Sequence, residues 1–91
     1  MTMNNCSQHQ KEIAGITDMK VLAEMIGDLH YETLTELLEH LFLKIGSDGR
    51  KDLHAGRIKL GCKLLDAEVK LCMAFIEIKE AWNISKPYMT K

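Results

Sequence analysis

Ninety-one residues, 46% of them hydrophobic, with a single proline and six glycines, fit one small globular domain and exclude a disordered or collagen-like chain. Few aromatics leave a core of Leu, Ile, Met and Val, which suits helices, and a chain of this length buries only about 60 to 65% of its unfolded surface, so a subunit interface would add stability. The longest unbroken apolar run, Leu71 to Ile76, is too short to cross a bilayer, and no charged start leads into a secretory stretch; the expectation is a cytoplasmic protein with no membrane contact.

Residues 1–16 are polar, with Ile13 and Ile16 as late apolar anchors, and read as a flexible N-terminal arm. Cys6-Ser7-Gln8-His9 has the spacing of half a metal site, but no matching half follows, so no metal is assigned. From Thr17 or Asp18, either of which can cap a helix, Met19, Val21, Leu22, Met25 and Ile26 form a short amphipathic helix ending near Gly27. After a break at Gly27-Asp28, the residues Tyr31, Leu34, Leu37, Leu38, Leu41, Phe42 and Ile45 describe one face of a second helix. Gly46 is expected to stop it, and Gly46-Ser47-Asp48-Gly49 to form the loop that folds helices two and three into an antiparallel hairpin.

The third helix reads from Leu53 to Trp82 and ends near Asn83 or Ser85, because Pro87 opposes further winding and leaves 86–91 as a tail. The domain thus spans 17–85. Phe75-Ile76-Glu77-Ile78-Lys79 alternates like a strand, yet the same residues complete helical stripes and have no strand to pair with. At about 100° per residue, Ile58, Cys62, Leu65, Val69, Cys72 and Ile76 fall on one narrow line, spaced by alternating fours and threes as in a heptad seam. Leu64, Leu71, Phe75, Ile78 and Trp82 form a second line roughly 120° away. Two apolar faces imply two sets of neighbours. One is the hairpin partner; the other is a third helix or a second copy of the chain.

The cysteines number three, and Cys62 and Cys72 lie too far apart on one helix to bond each other, so they read as reduced core residues rather than a disulfide framework. Charge is uneven along the chain. Residues 18–48 hold seven acids and two bases, whereas 49–63 hold Arg50, Lys51, Arg57, Lys59 and Lys63 against Asp52 alone. Read as a helix start, Arg50 and Lys51 oppose the macrodipole and need a reason: pairing with Glu36, Glu39 or another subunit, or an anion or nucleic-acid contact made with Arg57, Lys59 and Lys63. Against the second, no aromatics are interleaved to stack bases.

Glu36 and His40, with Glu39 beside them, could hold a metal from one helix face, and Glu77 and Glu80 form another acidic pair. A hairpin turning near Ser47 puts Glu36 across from about Lys59, far from Glu77, so a metal-assisted hydrolase would need a second subunit. His30 and Glu68 fall inside apolar arcs; Glu68 is expected to meet a base such as Lys79 or Arg57 of another copy. No hydrolase elbow, phosphate-binding glycine loop or zinc-finger spacing is present, so no catalytic residue and no cofactor are assigned. The reading is all-α: an antiparallel hairpin with a short preceding helix, forming a dimeric four-helix-type bundle through the Ile58 to Ile76 seam. The function expected is recognition: a homodimeric protein-protein interaction or regulatory module, with nucleic-acid or phosphate binding as the alternative.

Overall fold

The computed structural model describes residues 9–89 and is helical throughout apart from a short lead-in. Ile13 and Ile16 exchange both backbone hydrogen bonds across a tight turn, with Ala14 at φ 52° and Gly15 at φ 80°. Successive positive φ angles give a two-residue connection of the hairpin kind. The arm expected over 1–16 is thus ordered at 13–16, and its first eight residues, Cys6 included, lie outside the described part.

Three helices follow: α1, Met19–Gly27; α2, Tyr31–His54; and α3, Ile58–Met89. The Asp18 side chain accepts the Lys20 N–H at 2.9 Å and opens α1 as expected. The segment Phe75–Lys79 is helical. The packing of the fold is that of α2 on α3, an antiparallel hairpin, while α1 stays outside it. Phe42 meets Phe75 edge to face at 5.5 Å, and His30 meets Trp82 at 4.6 Å. Both pairs join the two helices along the second apolar line, whose members Leu64, Leu71, Phe75, Ile78 and Trp82 are all half-buried.

The hairpin turns in a different place from the one the glycines suggested. α2 runs straight through Gly46-Ser47-Asp48-Gly49 and ends at His54; the connection is Ala55-Gly56-Arg57. Here the Gly56 N–H donates to the Leu53 carbonyl at 3.0 Å and the Arg57 N–H to the Asp52 carbonyl at 2.8 Å, with Gly56 at φ 88°. That pair of bonds closes the helix around a left-handed residue that glycine adopts without steric cost. Lys51 and His54 occupy the last turn, where positive charge complements the helix dipole. Arg50 and Lys51 therefore belong to the end of one helix and not to the start of the next, and the macrodipole penalty expected of them disappears.

Gly46 and Gly49 serve contact instead of chain reversal. With Gly61 they are the only buried residues among those described. A Cβ on Gly61 would lie 2.8 Å from the Gly49 carbonyl oxygen and 2.7 Å from Leu53 Cγ, and one on Gly49 would lie 3.1 Å from the Gly61 oxygen. The two backbones touch at this crossing. At Gly46 the space a Cβ would need is filled by the Glu68 carboxylate. Glycine costs a helix interior about 1 kcal/mol relative to alanine, and the close approach is what it permits in return.

At its far end α3 continues past Ser85 to Met89, through Pro87. The residues read as a tail thus begin inside the helix. In the final turn a proline removes a single backbone bond and leaves little helix beyond to be kinked, and Lys86 lies with its ammonium 5.3 Å from the Trp82 ring.

Gly61→Ala should destabilise the protein: overpacking costs about 1–3 kcal/mol, against about 1 kcal/mol gained in helix propensity. Gly27→Ala, with nothing within 4 Å of the added methyl, should show no loss. Urea unfolding followed by circular dichroism compares the two; equal midpoints would remove the glycine crossing as a structural requirement.

Candidate functional site

Among the described residues, the outer line of α3 is an apolar strip that the hairpin leaves largely exposed. Ile58, Val69 and Ile76 are 56%, 58% and 48% exposed, Cys62 is exposed, and Leu65 and Cys72 are half-buried along the margin nearer α2. Met73 extends the strip, 60% exposed. The line lies outward because Leu64, Leu71, Phe75, Ile78 and Trp82 are held against α2, and roughly 120° of rotation separates the two. α1 packs little on the hairpin: its Met19, Val21 and Met25 are exposed and its Leu22 and Ile26 half-buried. Cys62 and Cys72 form no disulfide with each other; Cys62 lies on the surface and not in a core, and Cys72 is half-buried.

A second apolar strip is exposed on α2. Leu37 and Leu41 share the apolar arc of α2 with Leu38 and Phe42, yet are 37% and 41% exposed. They leave the helix on the side away from Glu36 and Glu39. Those two acids, with Glu32, Thr33 and Thr35, border an open groove against Phe75 and Lys79, and Lys79 is the next position on the outer line of α3. The two apolar strips therefore occupy opposite broad faces of the hairpin.

The same groove corrects the pairing expected for Glu36. Moving the turn by about eight residues shifts every cross-helix partner by twice that, so Glu36 lies level with Phe75 and Lys79, not with Lys59. Among the described residues no three His, Cys, Asp or Glu side chains gather into a metal-binding cluster. Glu77 and Glu80 are exposed, and the Lys79 ammonium stands 5.8 Å from the Phe75 ring centre.

The basic residues divide into two kinds. Arg50 Nη1 lies 3.5 Å from Glu68 Oε1, an ion pair across the hairpin, and Arg57 Nε donates to Asp52 Oδ1 at 2.7 Å within the turn. Lys51, Lys59 and Lys63 are exposed. Glu68 thus meets a base as expected, and within the chain that base is Arg50 and not Lys79. His30 caps α2, its Nδ1 accepting the Glu32 N–H at 3.1 Å. Lys44 donates to Asp48 at 2.6 Å, and this hydrogen bond holds the Asp48 carboxyl below its ordinary pKa.

Two signals in the sequence could have found the turn and the crossing. Bases at Lys51 and His54 followed by Gly56 are a helix end, and Gly49 and Gly61, on different helices, are a matched pair for close contact.

A double-mutant cycle on Arg50→Ala and Glu68→Ala should give a coupling of about 0.2–1 kcal/mol, the range for exposed pairs; zero coupling would make the contact incidental. Asp48→Asn should lower stability at neutral pH by no more than about 0.5 kcal/mol. Because the folded pKa is lowered, that contribution is present above the ordinary carboxylate pKa and is lost as pH falls through the folded value. Urea midpoints of the two proteins should then converge on acidification.

No helix among the described residues is long and apolar enough to cross a membrane. Comparison with known protein families, with curated proteins and with solved structures found no match to the chain.

Proposed function

We propose that the chain is a small interaction module that self-associates through the outer face of α3, two hairpins forming a four-helix bundle. The observation that carries this reading is that no described apolar side chain is fully buried, while Ile58, Val69 and Ile76 are about half exposed or more along one helix face. α1 packs little on the hairpin, which favours a second copy over a third helix of the same chain. The role proposed is recognition, with the six seam residues as its contact set.

Light scattering after size-exclusion chromatography should give twice 10.4 kDa for the wild-type chain. Val69→Glu, which puts a charge in the seam, should run as a monomer, whereas Leu41→Glu on the opposite face should remain a dimer. A monomeric wild type at every concentration, or a Val69→Glu protein of unchanged mass, would overturn the proposal.

A further inference from the structure

We infer that the two α3 helices pair antiparallel, with the two-fold axis level with Ala67, so that Cys62 of each copy faces the partner's Cys72. The inference rests on self-association through α3 and adds its direction and register.

The seam reads the same from either end. Ile58 and Ile76 stand nine residues on either side of position 67, Cys62 and Cys72 five, and Leu65 and Val69 two. In an isologous antiparallel contact each residue meets its mirror position. Isoleucine then meets the partner's Ile76, Cys62 meets the partner's Cys72 and Leu65 meets the partner's Val69. Three layers are formed and each occurs twice, with side chains of matched bulk. The spacing of four, three, four, three and four is itself symmetric, which this register requires.

A parallel pairing would match sizes equally well, so charge decides the direction. The turn end of the hairpin carries Arg50, Lys51, Arg57, Lys59 and Lys63 against Asp52, a balance of plus four between residues 49 and 63. The open end carries Asp18, Glu24, Asp28, Glu32, Glu36 and Glu39 against Lys20, a balance of minus five between 18 and 40. Each hairpin is therefore a charge dipole along its length. Antiparallel stacking lays the basic end of one copy beside the acidic end of the other; parallel stacking puts like beside like. In the antiparallel register Lys59 comes within side-chain reach of the partner's Glu77. The opposing element is Asp66, which comes beside the axis in both copies; it is exposed, where salt and water screen it.

The test joins thiols with a short bis-maleimide in a Cys6→Ser protein that light scattering shows to be dimeric. Within one helix, Cys62 and Cys72 are about 15 Å apart along the axis, and in the antiparallel dimer like cysteines are separated by the same distance. Peptide mapping should find Cys62 joined to Cys72 between chains. Either Cys62→Ser or Cys72→Ser alone should abolish the covalent dimer, and mixing the two variants should restore it. Lys59→Glu and Glu77→Lys should each weaken the dimer several-fold, and the double variant should recover it. A covalent dimer that survives in a single-cysteine variant means a parallel pairing and overturns the inference, while self-association through α3 stands. A dimer joined in none of these proteins, with no recovery in the charge swap, overturns the register. A wild-type monomer removes both this inference and the reading beneath it.

Discussion

The contact between the backbones at Gly49 and Gly61 sets the geometry of everything around it. With the Gly49 carbonyl oxygen only 2.8 Å from where a Cβ on Gly61 would sit, α2 and α3 can slide or rotate little without a clash. That crossing places the Glu68 carboxylate in the notch over Gly46 and within reach of Arg50. Farther along, it brings Phe42 to Phe75 and His30 to Trp82. The same rotation that turns the second apolar line inward must turn the first outward, because both lines belong to one rigid helix. An exposed seam is thus a geometric consequence of how the hairpin closes.

Two helices side by side cannot enclose a core. The molecule measures 51 × 29 × 17 Å, and among the described residues no apolar side chain is fully buried. Each apolar residue between α2 and α3 has neighbours on one side and solvent near the other, so half-burial is the best that even Leu38, Phe42 or Leu71 attains. Stability from apolar burial scales with area removed from water, at about 25 cal/mol per Å². A second layer, as in the proposed dimer, would remove part of the remainder and so add to folding stability.

Charge follows the same economy of position. Arg50 and Lys51 look misplaced as the first residues of a helix and well placed as the last, so the location of the turn changes the sign of their contribution. Arg50 and Arg57 are engaged with Glu68 and Asp52, leaving three exposed lysines at the turn end. The distance of that end from the acids of α1 and the start of α2 is what makes the hairpin a dipole, a property carried by the net arrangement and invisible in a total charge of −1.

Periodicity and capping chemistry, both local, were determined by the sequence alone: an all-helical fold, a helix opened at Thr17 or Asp18, the 3.6-residue period across Phe75–Lys79, a hairpin of the two long helices, and a third helix with two apolar lines. What the sequence left open was the meaning of its glycines. The same residue type ends a helix by adopting positive φ, as Gly56 does, or stays inside one to let another backbone approach, as Gly46, Gly49 and Gly61 do. Only the partner helix distinguishes these uses, because the deciding quantity is the distance to an atom about a dozen or more residues away in the chain. The register followed from that choice, and with it the partner of Glu68, the surroundings of Glu36 and the exposure of Leu37 and Leu41. Tertiary structure also decided which of the two apolar lines on α3 is covered, since a helical wheel fixes the angle between two faces but not the direction in which the neighbour lies.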